Sequence, residues 1–445
     1  MIPHPLGVLM RELEQFFPTP LQMQERWGDK IICYSALNLS YQDLHQIVSI
    51  PLAKLLNPCT DTWYGLQVDQ GPNFYRFFFW CLFQGIKVVL IPEKMPEQEI
   101  LRLKKTLDLS LILNQGQYSF DSLQEQLKNE SKILPPLPFA AEACALLTSG
   151  SSSEPKVLVH QVQSLFYSAL STVKHYGIGP SHYWVQTLPP HHMGGLMIYL
   201  RTFLSGASCV LPPKRSWEAI AELWENPPAN SCLFSLVPAQ LYDLVHSWSQ
   251  LPRSFQQSIF FLLLGGAKFP WPLIKQALGL HLPLALSYGQ TETAAQMTST
   301  PIFQQEDEAR AFLDETQTPP LLSSGHFLEY RYPEMLENGQ LWLSSPALYV
   351  RELKGPIRSN GHQEKYLISD IVHYHSLKGL FVYGRKDRMI LCGGDNLSLD
   401  QLENILLLLP QVESLVEFWM DSVTDERLGE VPILLMVCPP PLPSE

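Results

Sequence analysis

The chain has 445 residues, of which 46% are hydrophobic and 17% are charged, and its formal net charge at pH 7 is −12. This length and composition predict a folded protein of two or three domains and exclude a disordered chain. The acidic balance disfavours nucleic acid and anionic membranes as partners, so an anionic substrate would need cations placed locally. The eight cysteines include no Cys-x-x-Cys pair, which is typical of reduced core thiols and favours a cytoplasmic protein.

The first third of the chain alternates apolar strands with helical patterns. The predicted elements are helices at 9–17, 41–56 and 73–84, a helix starting at Pro96, and strands at 63–68, 87–91 and 109–113. This rhythm predicts a parallel, two-sided α/β sheet. The aromatic run Phe77–Phe83 is too short to span a bilayer and is most simply explained by core packing, so we expect no integral membrane segment. Three prolines in 129–140 predict a linker.

A loop rich in hydroxyl groups joins a predicted strand at 143–147 to a second apolar run. The loop contains Thr148, Ser149, Gly150, Ser151 and Ser152. Backbone N–H groups and hydroxyls in such a loop can surround an anion, and Lys156 adds a positive charge. The alternative is a solvated serine-rich turn. A Walker loop is excluded, because Pro155 stands at its second glycine and Val157 at its Ser/Thr.

A predicted helix at 162–176 is followed by the stretch 184–190, predicted as a strand and then a turn, and by His191-His192-Met-Gly-Gly. Adjacent histidines on one turn do not readily bind one metal, so we reject a zinc site there, and a surface or capping histidine is the alternative for His192. The apolar helix that follows contains Arg201, for which a solvated helix charge is the alternative to an anion-binding role.

The next elements are predicted as a strand at 231–236, a helix at 238–251, a strand at 258–264 and a helix at 271–279. Small residues after the second strand would let the backbone approach a flat ligand; they are Gly265, Gly266 and Ala267. A further strand from Leu284 ends in the turn Ser287-Tyr-Gly-Gln-Thr-Glu292, whose carboxylate suits Mg2+ beside phosphate. An ordinary strand-exit turn is the alternative. A strand is predicted at 326–330, and Asn338-Gly339 predicts a hairpin.

The stretches Thr148-Ser-Gly-Ser-Ser-Ser-Glu-Pro-Lys156 and Tyr288-Gly-Gln-Thr-Glu292 resemble, in this order, the two signatures of the adenylate-forming (AMP-binding, acyl-CoA synthetase) superfamily. The resemblance covers nearly the whole chain. It implies an α/β fold with α+β elements, in which residues 1–386 form a large ATP- and acyl-binding domain of stacked β-sheets flanked by helices. Residues 387–445 would form a small α+β domain that is shortened relative to the family.

The resemblance also implies a role for each matching residue. The catalytic residues would be Lys156, His192, Thr291 and Glu292, with Glu292 holding Mg2+. The residues binding ATP and coenzyme A would be Thr148, Ser149, Gly150, Ser151, Ser152, Gly265, Gly266, Ala267, Ser287, Tyr288, Gly289, Asp370, Arg385, Gly393 and Gly394. Asp387 would be the hinge between the domains, and His192 would line the acyl pocket.

The runs at 188–206 and Thr291-Glu-Thr-Ala-Ala-Gln296 are most similar to the o-succinylbenzoate–CoA ligases of menaquinone and phylloquinone synthesis. This resemblance implies an acid–thiol ligase that activates a dicarboxylate, with ATP, Mg2+ and coenzyme A. Arg201 would then face the carboxylate that does not react. The implied partners are small molecules, and a homo-oligomer is left open.

Three departures from the family pattern keep other functions open. Ser153 replaces a glycine, Ile368-Ser369 replaces Thr-Gly before Asp370, and residues 387–445 contain no lysine where the family has a catalytic one. The alternatives are a catalytically weak or silent nucleotide-binding member of the same fold and a CoA ligase for another aryl or fatty acid.

Overall fold

The structure is a computed structural model of the chain. It describes residues 30–34, 39–48, 62–67, 71–114, 138–148, 156–212, 214–223, 230–317, 319–335, 340–355, 365–392, 395–406, 417–425, 427 and 429–437. The helix predicted at 9–17 and most of the predicted linker lie outside these residues.

Helices and strands alternate through most of the chain. The helices are α1 Tyr41–Val48, α2 Pro72–Phe83, α3 Glu97–Leu107, α4 Val162–Tyr176, α5 Met193–Ser205, α6 Trp217–Glu222, α7 Pro238–Ser247, α8 Arg253–Ser258, α9 Trp271–Gly279, α10 Glu306–Arg310 and α11 Leu399–Leu406. Single 3-10 turns span Trp248–Gln250, Thr291–Thr293 and Lys386–Arg388.

The strands number from the N-terminus. They are β1 Ile31–Tyr34, β2 Leu39–Ser40, β3 Trp63–Gln67, β4 Lys87–Leu90, β5 Leu109–Asn114, β6 Glu142–Thr148, β7 Lys156–Gln161, β8 Tyr183–Val185, β9 Ser208–Val210, β10 Cys232–Leu236, β11 Ile259–Leu264, β12 Leu284–Gln290, β13 Ala295–Ser299, β14 Leu313–Asp314, β15 Leu321–Leu322, β16 His326–Phe327, β17 Tyr332–Met335, β18 Leu341–Ser344, β19 Arg351–Glu352, β20 Tyr366–Leu367, β21 Asp370–His375, β22 Gly379–Arg385, β23 Met389–Cys392, β24 Asp395–Ser398, β25 Glu417–Asp425 and β26 Gly429–Val437.

Two large sheets carry the fold. One has the order β16-β13-β12-β11-β10-β8-β9-β1-β2. Its six neighbouring strands β12, β11, β10, β8, β9 and β1 pair in parallel. The other has the order β19-β7-β6-β4-β3-β5, with a parallel half and an antiparallel edge formed by β6, β7 and β19. The predicted α/β class with stacked sheets and flanking helices is confirmed.

Aromatic helix α2 packs inside the fold, as the sequence predicts. Phe77, Phe78 and Phe79 are each at most 2% exposed, and the ring of Phe79 lies 4.5 Å from that of Phe203 on α5. None of the helices in the described part of the chain is both long and apolar enough to cross a membrane. The described cysteines are free thiols, and Cys81, Cys144, Cys209 and Cys232 among them are buried.

The change from strand to turn predicted within 184–190 occurs after Val185, where the Thr187 amide donates to the Val185 carbonyl at 3.1 Å. Two other predicted boundaries are wrong for local reasons. The strand predicted at 258–264 starts at Ile259, because α8 occupies the residues before it. The strand predicted at 326–330 has only two residues, since Tyr330 turns into the left-handed region with φ of 65°.

After the 3-10 turn at Lys386–Arg388, the chain forms a separate sheet of order β24-β23-β26-β25 that packs against α11. Buried Ile390, Leu399 and Met420 make a small core there. The hairpin predicted around Asn338-Gly339 joins β17 and β18, which pair antiparallel, although the turn itself is outside the described residues. The division at 386/387 stays a prediction.

We predict that Phe79→Ala lowers the free energy of unfolding by about 3–5 kcal/mol, because a fully buried ring would leave a cavity among other aromatic rings. Urea unfolding followed by far-UV circular dichroism measures this change. Leu101→Ala, at a position on α3 that is 59% exposed, is the control and should change it by less than about 0.5 kcal/mol. Equal effects of the two substitutions would contradict the packing described here.

Candidate active site

A cavity of about 1110 Å3 lies where β11 and β12 end, beside the end of β6 and the start of β7. Ligands commonly bind in this position, at the carboxyl ends of parallel strands. Predicted site residues from distant parts of the sequence line it together: Thr148, Lys156, His192, Arg201, Gly265, Gly266, Ala267, Ser287, Tyr288, Gly289, Thr291, Glu292, Asp370 and Arg385.

Some predicted site residues are not placed by the structure. Ser149, Gly150, Ser151, Ser152, Gly393 and Gly394 lie outside the described residues. Asp387 belongs to the 3-10 turn between β22 and β23, but its side chain is outside the described part. The roles of these residues stay predictions.

The Thr291–Glu292 turn has an unusual backbone. Ala294 and Ala295 have φ angles of 50° and 73°, in the left-handed region that costs a residue with a Cβ roughly 1–2 kcal/mol. Gly289 faces this turn so closely that an added Cβ would lie 1.7 Å from the Ala295 carbonyl oxygen. Glycine is therefore required at position 289 by packing.

Donors from several elements hold the turn. The Tyr349 amide donates to the Glu292 carbonyl at 2.8 Å, and the Ser168 hydroxyl on α4 donates to the Ala294 carbonyl. The guanidinium of Arg331 donates to the Thr293 carbonyl at 3.3 Å and to the Gln296 carbonyl at 3.0 Å. Such a set of tertiary contacts is what keeps a strained backbone in place.

The Glu292 carboxyl is half-buried at this turn. Burial raises its pKa above the ordinary value, although the nearby cations Lys156 and Arg385 partly oppose the shift. Lys156 and Glu292 both line the cavity and are close enough to interact electrostatically. Lys156 also pairs with Glu352 on β19 at 3.8 Å, and both side chains are about half exposed.

Tyr288 and Asp370 form a hydrogen-bonded group across the cavity. The Tyr288 hydroxyl donates to Asp370 Oδ2 at 2.5 Å, and Gln290 Nε2 donates to the same oxygen at 3.1 Å. Burial and the Asp370 charge raise the pKa of Tyr288 well above its ordinary value, so the phenol stays protonated. Sequence reasoning did not single out Gln290, although it stands inside the Tyr-Gly-Gln-Thr-Glu stretch.

Arg201 is buried in the cavity wall, with 2% exposure. Its Nη2 donates to Gln296 Oε1 at 3.3 Å, its Cζ lies 5.1 Å from the Trp184 ring centre, and its Nε has no hydrogen-bond partner in the described residues. Burial lowers its pKa to about 9, which leaves it charged at neutral pH. The alternative of a solvated helix charge is therefore wrong.

Gln296 is a second residue that sequence reasoning did not assign. Its Oε1 accepts hydrogen bonds from both Arg201 and Thr172, at 3.3 and 2.9 Å, and its Nε2 donates to Ser299 Oγ at 2.7 Å. The sequence pattern that could have pointed to Gln296 is the Thr-x-x-Gln run in which it stands. Only the fold shows that this amide orients Arg201.

His192 is the N-cap residue of α5 at the cavity edge. Its side chain is exposed, and partial desolvation of the ring together with the charge of Arg215 lowers its pKa, so the imidazole is neutral at physiological pH. Gly195 packs against the preceding turn, where an added Cβ would lie 2.0 Å from the Pro189 carbonyl oxygen. The described residues contain no group of three or more His, Cys, Asp or Glu side chains arranged for a metal.

The family model described as AMP-binding enzyme matches residues 23–351, about three quarters of the chain. The chain belongs to the AMP-binding enzyme family. The resemblance found in the two signatures is thereby confirmed.

Relatives in this AMP-binding family include two 2-succinylbenzoate–CoA ligases. The protein of Staphylococcus epidermidis is 24% identical over 427 residues, covering 94% of this chain and 86% of the relative. The protein of Bacillus subtilis is 25% identical over 382 residues, covering 81% of this chain and 75% of the relative.

Two solved structures share the AMP-binding fold. The o-succinylbenzoate CoA synthetase (MenE) of Bacillus subtilis in complex with the acyl-adenylate intermediate OSB-AMP has a TM-score of 0.76 and 19% identity, covering 95% of this chain and 88% of that one. The same enzyme in complex with ATP and magnesium ion has a TM-score of 0.74 and 20% identity, with 94% and 88% covered. At this identity the likeness shows the fold.

We predict that Glu292→Gln stabilises the protein at pH 7 but not at about pH 3.5. Because the folded-state pKa is raised above the ordinary value of 4.5, ionising Glu292 costs more in the folded than in the unfolded chain. This penalty is absent below the unfolded-state pKa, grows as the pH rises, and is complete above the folded-state pKa. Urea unfolding over a pH series measures it.

The control for this pH series is Glu222→Gln, at an exposed position in the last turn of α6. It should show no comparable gain in stability as the pH rises. A Glu292→Gln variant that is equally or less stable than wild type at pH 7 would contradict the cost of burying this carboxylate.

Proposed function

We propose that the protein is an ATP-dependent acid–thiol ligase that activates a dicarboxylate, 2-succinylbenzoate, and transfers the acyl group to coenzyme A. In this role it would serve menaquinone or phylloquinone synthesis. The observation that carries the proposal is a single cavity lined by a half-buried carboxylate, Glu292, and by the buried guanidinium of Arg201, which has no carboxylate partner among the described residues. The names of the relatives and of the bound ligands in the related structures support the same substrate.

The end of the cavity around Glu292 fits Mg-ATP. Mg2+ usually binds one or two carboxylates and completes its shell with phosphate and water, so a single carboxylate is sufficient. Lys156 and the Thr291 hydroxyl would bind phosphate beside it, with the loop of Ser149, Gly150, Ser151 and Ser152. Tyr288 and the backbone at Gly265, Gly266 and Ala267 would contact adenine, while Asp370 and Arg385 would bind ribose.

The end around Arg201 fits the carboxylate that does not react. A buried cation without an anion is unfavourable, and an anionic ligand group would relieve that cost. Gln296 keeps the guanidinium oriented, and the neutral ring of His192 would line the entrance to the acyl site without adding a charge. A fatty acid would offer no anion at this position.

The proposed reaction has two displacements. A carboxylate oxygen of the acid attacks the α-phosphorus of ATP, so that the mixed anhydride bond of an acyl adenylate forms and pyrophosphate leaves. The thiolate of coenzyme A then attacks the acyl carbon, so that the thioester forms and AMP leaves with the bonding electrons. The residues around Glu292 would stabilise negative charge in the first step. Rotation of residues 387–445 about Asp387 would separate the two steps, with Gly393 and Gly394 beside the pantetheine channel.

The direct test is an assay of purified protein with 2-succinylbenzoate, Mg-ATP and coenzyme A. We expect AMP, pyrophosphate and the thioester in equal amounts, and Glu292→Ala should abolish their formation. Tight ATP binding with no product from any acid would replace the proposal with a silent nucleotide-binding protein. Faster turnover of a fatty or simple aryl acid would replace the substrate. A cytoplasmic location and a homo-oligomeric state stay predictions.

We predict that Arg201→Met lowers kcat/KM for the dicarboxylate roughly 100-fold, which corresponds to a charged hydrogen bond of about 2–3 kcal/mol. For a monocarboxylate analogue that lacks the non-reacting carboxylate, the same substitution should leave kcat/KM nearly unchanged. Steady-state release of AMP measures both values. The matched control is Arg310→Met, which removes an exposed guanidinium paired with Glu306 at 3.0 Å and should affect neither substrate. Equal losses on both acids would contradict the assignment of Arg201.

A further inference from the structure

Arg331 is a buried cation whose described partners are all uncharged. It lies between β16 and β17, is 4% exposed, and has no carboxylate within ion-pair distance among the described residues. Besides the Thr293 and Gln296 carbonyls, it donates to Ser345 Oγ at 2.9 Å, and its Nε has no hydrogen-bond partner in the described part of the chain. Burying a guanidinium among neutral acceptors is costly, so its position needs a reason beyond packing.

The two carbonyls that Arg331 binds flank the left-handed pair Ala294 and Ala295. Both bonds come from the Nη2 group of Arg331, while its Nη1 donates to Ser345 Oγ, so the rigid guanidinium plane fixes the direction of all three bonds. An apolar side chain can make none of them, and the flexible ammonium of a lysine lacks this fixed geometry. Arg331 therefore fixes the distance between the carbonyls on either side of the strained backbone.

The same two contacts adjoin both charged groups that line the cavity. Thr293 directly follows Glu292, whereas the side chain of Gln296 accepts the hydrogen bond from Arg201. Movement of this short segment would displace both the carboxylate and the guanidinium.

We propose that Arg331 is a positioning residue that holds the 291–296 segment in its left-handed conformation and so places Glu292 and Arg201 in the cavity together. Arg331 does not line the cavity itself. The kinetic part of this inference rests on the proposed ligase function, whereas its structural part does not.

The structural test is hydrogen–deuterium exchange of the protein without ligands. Arg331→Met should raise exchange selectively in peptides that cover 287–299. The matched control is Leu278→Ala, a 3% exposed position on α9 that belongs to a different hydrophobic cluster from Ala294 and should lower global stability without this local change. Unchanged exchange in the segment of a folded Arg331→Met protein, or the same local rise in Leu278→Ala, would overturn the inference.

The kinetic test uses the ligase assay. Arg331→Met should lower kcat roughly tenfold and raise both the Mg2+ concentration for half-maximal activity and KM for the dicarboxylate, since Glu292 and Arg201 would shift together. Arg331→Lys, which keeps the charge and can reach one carbonyl, should restore part of each parameter. An effect on only one of these two groups, or on neither, would overturn the coupling.

A failure of Arg331→Met to fold and a failure of the proposed ligase function can each be told apart from a failure of this inference. If Arg331→Met fails to fold, Arg331→Lys and Ser168→Ala replace it, because the Ser168 hydroxyl donates to the Ala294 carbonyl in the same segment. Both should raise exchange at 287–299, and unchanged exchange in both would reject the role of Arg331. If the wild-type protein ligates no acid, the proposed function fails while the exchange experiment still decides the role of Arg331.

Discussion

The cavity depends on one short segment, whose backbone is kept in an unfavourable left-handed conformation by hydrogen bonds from other parts of the fold. Residues 291–296 pass twice through the left-handed region without a glycine, which local sequence alone does not favour. The donors that hold it come from α4, from Tyr349 between β18 and β19, and from Arg331 just before β17. Because these donors are far apart in the chain, the turn can form only when the two large sheets and α4 are packed together. The folded scaffold and the site are therefore coupled.

The wall of the cavity contains buried positive charge, although the net charge of the whole protein is negative. The chain is acidic, yet Arg201 and Arg331 are both buried close to the same segment without carboxylate partners among the described residues. Neither positive charge is therefore neutralised by an ion pair with a described carboxylate. Arg331 satisfies backbone carbonyls, whereas Arg201 reaches the cavity wall and keeps an unpartnered Nε. The two guanidinium groups thus have different roles, one directed to the protein and one to the cavity.

The sequence predicts the elements well wherever local signals agree. Helix α4 has the predicted bounds, because Gly177 in the left-handed conformation ends it. The two signatures also identify most of the cavity lining, since each is a contiguous stretch after a buried strand. Gln296 and Arg331 could not be assigned in the same way, because their roles come from contacts between residues 95 and 35–38 positions apart. Likewise, the pattern around Arg201 is apolar on every side of the helix, so only packing decides between a solvated and a buried charge.

Two charged groups in the wall of the cavity lack an ionic partner of matching burial, and this limits what can bind there. Burial makes ionised Glu292 unfavourable, and burial also makes the Arg201 cation unfavourable. A ligand that brings a cation to Glu292 and an anion to Arg201 relieves both costs, whereas a neutral ligand of the same shape relieves neither. A metal–nucleotide together with a dicarboxylate has this pattern of charge. A long-chain acid has only half of it, so the distribution of charge, more than the size of the cavity, supports the proposed dicarboxylate substrate.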